Sequence, residues 1–261
     1  YLDHVEACFD WRPVRLPDAM FHEAAAAIDA RLPGPGSLDA RLAAWDDELT
    51  IAVDRLPAVV DWLVGVFRER AAALFGAPAG EDLRVSLVTN KPWSGYNWYD
   101  GGLRSRVELN TDLPIRASDL LRVVAHETFP GHHLEHAWKE ADLVMAHGRL
   151  ENSAMLINTP ECLLSEGLAN LGYRFVVPQD GEADLLVELF ARAGLALAAD
   201  PARAAEVAAT AVAIRAARNL LGSIAGNAAL MRHVDGLERA DVHDYLVAVG
   251  RQPSARASQR L

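Results

Sequence analysis

Residues 125–136 read Ala125-His126-Glu127-Thr128-Phe129-Pro130-Gly131-His132-His133-Leu134-Glu135-His136, and they hold four of the nine histidines in a chain of 261 residues. A His-Glu pair on a helix, with a second His returning to the same face, is how zinc peptidases grip Zn2+ with two imidazoles and set a carboxylate beside its water. The ordinary spacing puts that second His four residues on, where this chain has Pro130. Proline has no N–H to donate to the carbonyl of His126, and its ring disfavours helical geometry at Phe129, so the helix is predicted to open there. With Pro130 and Gly131 looped out, His132 takes the place of the usual second histidine and converges on His126. In an unbroken helix, at about 100° per residue, His132 would lie some 120° away from His126, while His133 would return to the same face about 10.5 Å further along. His133 is therefore the reserve ligand.

The same stretch contains a competing pattern. His132-His133-Leu134-Glu135-His136 satisfies the H-x-x-E-H order of inverted zinc peptidases, in which His132 and His136 would bind the metal and Glu135 would be the base. The forward reading is preferred because a downstream segment offers it a third donor. Two imidazoles leave a tetrahedral ion short of a protein ligand, and a carboxylate on a following helix is the usual supplier. Thr159-Pro160-Glu161 opens such a helix, with Thr159 as N-cap and Pro160 in the first turn. Its continuation places Glu166 in an otherwise apolar, small-residue run, where a carboxylate is costly unless paired or metal-bound. Glu161, at the helix start, is accounted for by the helix dipole.

Further out, the chain reads as mainly α (α+β), a single helical domain with a small β-sheet or hairpin beside the site. Apolar residues at spacings of three and four predict helix over Asp18–Ala30 and Ser37–Phe75, with Pro33-Gly34-Pro35-Gly36 between them. Alternating patterns predict strands over Leu83–Val88 and Ser105–Asn110. Between them, Lys91 to Gly102 is an aromatic, turn-rich segment, read as a hairpin connection or a cleft wall. Helix resumes from Ser118, interrupted near Pro130-Gly131, near Asn158-Thr159-Pro160 and across Val177–Gly181.

Composition narrows the function classes. The 25 Lys and Arg against 36 Asp and Glu give a formal charge of −11, which opposes binding to nucleic acid. No stretch has the roughly 18 uncharged apolar residues of a membrane helix. Cys8 and Cys162 form neither a disulfide framework nor a thiolate zinc site, so a metal here is held by nitrogen and oxygen. The first residue is Tyr1 rather than Met, so the natural chain is expected to start upstream, and a cytoplasmic location is expected. None of the nine histidines follows Asp or Glu by three residues, which removes a di-iron carboxylate bundle. No G-x-S-x-G elbow is present.

The stretch HETFPGHHLEH, with SEGLAN some thirty residues later, resembles the "domain of unknown function 885" family of bacterial proteins. That family's pattern runs His-Glu-x-x-Pro-Gly-His-His and then Glu-Gly-Trp-Ala, and the family is similar to the glutamate-zincin metallopeptidases, among them thimet oligopeptidase and the Taq-type carboxypeptidase. The resemblance implies a helical zinc peptidase, with Zn2+ on His126, His132 and Glu166 and with Glu127 as catalytic base. It extends to Asn110 in VELNTDLP, which is similar to the strand and asparagine preceding the family motif and implies an edge strand that binds extended peptide. Arg104 and Arg106, flanking that strand, are candidates for a peptide carboxylate. Arg215 to Tyr245 faintly matches the family's closing region. His233, Arg215, Arg218 and Tyr245 are the candidates there to stabilise an oxyanion, with His233 taken as catalytic and Arg215 as substrate-binding. The chain departs from the pattern at Leu168, where Trp is usual, at Asn170, where an acidic residue follows in typical members, and at Glu135, where Gln is common. The expected function is zinc-dependent hydrolysis of peptide bonds, with a non-catalytic metal-binding helical protein or an inverted-motif peptidase as the alternatives.

Overall fold

Apolar side chains three and four apart become buried faces of most helices of the computed structural model, which describes residues 1–261. Helices α1 (Leu2–Phe9), α2 (Asp18–Asp29), α3 (Leu38–Glu48) and α4 (Leu56–Phe75) lead into strands β1 (Asp82–Val88), β2 (Gly95–Gly101) and β3 (Arg104–Asn110). Helices α5 (Ala117–Glu127), α6 (His132–Trp138), α7 (Pro160–Val176) and α8 (Glu182–Ala193) follow, and α9 (Pro201–Gly222), α10 (Ile224–His233), α11 (Arg239–Ala248) and α12 (Ser254–Gln259) close the chain. The architecture is mainly α with a small sheet, and no helix is long and apolar enough to cross a membrane.

The chain divides into two compact units, Tyr1–Asp47 with Glu206–Leu261, and Glu48–Ala205. In the first, Phe21 and Ile28 of α2, Leu42 and Trp45 of α3, Val207 and Ile214 of α9, and Val242 and Leu246 of α11 are buried. Asn227 stitches this unit together: its amide donates to the Leu16 carbonyl (2.8 Å) and the Tyr245 hydroxyl (2.9 Å), and its Oδ1 accepts from the Leu16 N–H.

The second unit holds every motif of the His126–Glu166 reading. Its core is built from Leu63 and Phe67 of α4, Val107 and Leu109 of β3, Leu120, Leu121 and Val124 of α5, and Leu186 and Phe190 of α8. Each large side chain buried there contributes about 1.5–3 kcal/mol. The helix expected to run through Ser37–Phe75 is interrupted between Glu48 and Leu56. Thr50 forms an isolated antiparallel bridge with Arg116, and the Ile51 N–H donates to the Ile115 carbonyl (2.9 Å). The β-branched Thr50, Ile51 and Val53 favour extended backbone. Pro57, which cannot donate to a preceding turn, fits only the first turn of a new helix.

The strand order is β1-β3-β2, with β1 parallel and β2 antiparallel to β3. Both strands read from the alternation are present. The aromatic segment between them supplies a third, because Tyr96, Trp98 and Tyr99 are strand formers. Gly101 and Gly102, at φ 75° and 62°, then turn the chain back on itself. This corrects the expectation that the Asn110 strand is an edge. β3 is central, paired Trp98↔Arg106 on one side and Arg84↔Arg106 on the other, so its backbone has no free edge. The edge nearer the metal-site helices is β2. Its Asn97 amide donates to the Glu127 carbonyl at 2.7 Å.

Candidate metal centre

Helix α5 ends at Glu127, the chain runs non-helically through Thr128–Gly131, and α6 restarts at His132. The opening at Pro130 is held by satisfied backbone groups. The Thr128 N–H and hydroxyl both donate to the Val124 carbonyl (2.9 and 2.6 Å), and the Gly131 N–H donates to the Ala125 carbonyl (3.1 Å). Gly131 lies so close to α5 that a Cβ built on it would stand 1.8 Å from the His126 carbonyl oxygen. Only glycine permits that approach. Across the break, α7 comes within 2.8 Å of the Pro130 ring at the point where Gly172 would carry a Cβ. Thr159 caps α7 by accepting from the Cys162 N–H (3.2 Å), and Pro160 occupies the first turn.

These local constraints bring three side chains together. His126 Nε2 lies 3.3 Å from Glu166 Oε2, and His132 Nε2 lies 3.4 Å from Glu166 Oε1. The two imidazoles meet edge to face, with ring centroids 4.6 Å apart. One nitrogen from each and one carboxylate oxygen lie within 4.8 Å of one another. Two imidazoles and one carboxylate are the donor set of a zinc site with three protein ligands, and the 3.3 and 3.4 Å contacts, each to a different carboxylate oxygen, bring those donors within reach of one ion.

The electrostatics follow from this crowding. Hydrogen bonding to His126 and then His132 holds the Glu166 carboxyl well below the usual carboxylate range. Burial disfavours a charged His132, but its contacts with Glu135 and Glu166 outweigh that and raise its pKa to about 9. Glu127, only 7% exposed, is pushed up by burial, while His126 and His132 pull it partly back. Glu127 is thus a buried carboxyl within electrostatic reach of both imidazoles.

The reserve ligand and the inverted motif are placed differently. His133 is fully buried and faces away from Glu166, with Nδ1 2.8 Å from Ser105 Oγ and Nε2 2.8 Å from Glu81 Oε2. Glu81 in turn pairs with Arg68 at 3.1 Å. Ser105, His133 and Glu81 have the composition of a hydrolytic triad. With Ser105 2% exposed and His133 enclosed, they pin α6 to the sheet. His133→Ala is expected to cost about 2–4 kcal/mol by stranding the buried Ser105 and Glu81, read by urea unfolding, with zinc binding retained by the folded fraction. Loss of zinc from a folded His133→Ala protein would make His133 part of the centre.

His136 stacks on His132 (5.9 Å) and meets the Tyr99 ring at a tilt (5.2 Å), and burial lowers its pKa to about 4. Glu135 bonds to the Ser165 hydroxyl and lies 3.7 Å from Lys139 Nζ. The inverted motif therefore forms no three-ligand group here, whereas the forward motif with Glu166 does. Lys139 also pairs with Glu161.

The other candidates make contacts of their own. Asn110 is buried, and its amide donates to the carbonyls of Lys91 (2.8 Å) and Trp93 (2.9 Å), holding the aromatic segment instead of facing a ligand. Arg106 forks onto Asp100 (2.7 and 3.0 Å). Glu140 receives the Tyr99 hydroxyl (2.5 Å) and the N–H groups of Gly102 and Leu103, fastening the β2–β3 turn. Arg215, Arg218, His233 and Tyr245 belong to the first unit. Within it, His233 stacks on Tyr1 (5.1 Å), Arg218 pairs with Asp46 (2.8 Å), and the Tyr245 hydroxyl donates to Asp18 (2.6 Å). Sequence reasoning missed Ser165, whose only visible signal was its place beside Glu166.

No family model and no curated protein matches the chain. Among solved structures, it is similar to one described as that of a lipoprotein from Colwellia psychrerythraea, at 16% identity and a TM-score of 0.39. That match covers 100% of this chain and 54% of the other, so the chain spans about half the length of that structure. A likeness at that score carries no argument about fold or function.

Proposed function

We propose that this chain is a zinc-dependent peptidase. The observation that carries the reading is the convergence of His126, His132 and Glu166, with the buried carboxyl of Glu127, next to His126 on α5, in electrostatic reach of all three. A zinc ion held by those three side chains supplies a Lewis acid that polarises a carbonyl and lowers the pKa of water toward about 7. Glu127 takes the proton of the attacking water at its carboxylate and returns it to the leaving amine, so that one amide bond breaks and one acid and one amine form. Burial of Glu127 helps it hold that proton. The strand β2, an edge of the sheet tied to Glu127 through Asn97, offers an extended peptide a backbone to pair with.

Metal analysis coupled to digestion of a mixed peptide library, read by mass spectrometry, tests this directly. About one zinc per chain and chelator-sensitive cleavage are expected. Zinc without cleavage would favour the non-catalytic metal-binding protein. His126→Ala, His132→Ala and Glu166→Ala are each expected to abolish stoichiometric zinc, because two protein ligands do not hold the ion against competing buffer. Retention of zinc in Glu166→Ala, with loss in His136→Ala, would shift the reading to the inverted motif.

A further inference from the structure

A serine stands between the second imidazole and a carboxylate. Ser165, one residue before Glu166 on α7, is buried, with Oγ 3.2 Å from His132 Nδ1 and hydrogen-bonded to Glu135 Oε2. The direct His132–Glu135 separation is 3.9 Å, too long for a hydrogen bond, so the hydroxyl is the link. A hydroxyl has one proton to give. Glu135, with Lys139 Nζ 3.7 Å from its other oxygen, is an acceptor, so the Ser165 proton goes to it and Ser165 receives the Nδ1–H of His132. When a cation displaces the proton from Nε2, the atom that faces Glu166, the proton left on His132 is the Nδ1–H that Ser165 accepts.

We propose that Ser165, held by Glu135, is a positioning residue that locks His132 in the tautomer able to ligate a divalent cation. This deepens the metal-centre reading and rests on it. The hydrogen-bond acceptor behind a ligating imidazole is normally a single group, and losing it costs about 10–100-fold in metal affinity. Here the task is divided between α6, which supplies Glu135, and α7, which supplies Ser165. The lock therefore closes only when α7 is docked with both Ser165 and Glu166 in place.

The test compares the unsubstituted chain with Ser165→Ala and Ser165→Thr, using zinc alone as the probe and a chelating dye as competitor, with circular dichroism to establish folding. Ser165→Ala is expected to bind zinc about 10–100-fold more weakly, and Ser165→Thr, which keeps the hydroxyl, to stay within about threefold. In the zinc-loaded protein, the exchange-protected Nδ1–H proton resonance of His132 is expected in the unsubstituted chain and Ser165→Thr and lost in Ser165→Ala. An affinity within about threefold in Ser165→Ala, or equal losses in the two variants, would overturn the lock while leaving the metal centre intact. Failure of the unsubstituted chain to bind zinc would overturn the metal-centre reading, and the lock with it.

Discussion

Glu127→Gln is expected to retain about one zinc per chain and to lose peptide hydrolysis by about 10³–10⁴-fold, the upper range for removing a general acid–base group. The amide has nearly the volume of the carboxylate, so the buried pocket around residue 127 stays filled. It cannot accept a proton from water or return one to the amine. His126, His132 and Glu166 are untouched, so the donor set keeps its spacing of 3.3 and 3.4 Å. Zinc content by atomic absorption, with kcat/KM on a peptide cleaved by the unsubstituted chain, separates the two effects. Activity within about tenfold of the unsubstituted chain would move the base elsewhere, with Glu135 the first alternative.

Gly131→Ala is expected to be the most damaging single methyl group in the second unit. The added carbon would stand 1.8 Å from the His126 carbonyl oxygen, 2.4 Å from its carbon and 2.6 Å from the Ala125 oxygen. All three are backbone atoms of the helix that carries His126, so no side chain can swing aside. The turn must move, and His132, which follows it directly, moves too. A cost of about 3 kcal/mol or more in urea unfolding is expected, together with loss of zinc affinity. Gly167→Ala, with open space around its Cβ position on α7, is the control, expected to be neutral or stabilising by up to about 1 kcal/mol. Unchanged zinc affinity in Gly131→Ala would mean that the path of this turn does not place His132.

Much of the second unit's local architecture was legible because it rests on neighbours in the chain. Pro130 ends one helix through a missing N–H and a steric ring, and Thr159-Pro160 begins another through a cap and a preset φ, both within four residues. The two alternating segments became β1 and β3 because period two leaves one face buried, as Ser105, Val107 and Leu109 show. The aromatic segment was harder to read. Tyr96, Trp98 and Tyr99 suit a strand, but their glycine-rich flanks suit a turn equally well, and only pairing with β3 decides between them.

Reading residues 125–136 in order was enough to mark a broken helix carrying His126, Glu127 and His132, and to nominate Glu166 as a carboxylate needing a partner. Propensity, capping and ring sterics act over a few residues, so the order of residues states their outcome. Which imidazole turns toward Glu166 and which toward Glu81, 52 positions away from His133, is a different kind of fact. So are the central place of β3, the inward commitment of Asn110 and the serine behind His132. Each depends on which surfaces meet once hydrophobic burial has packed α5, α6, α7 and the sheet. That burial is non-directional, so the polar groups it encloses find partners by position in space, not by distance along the chain.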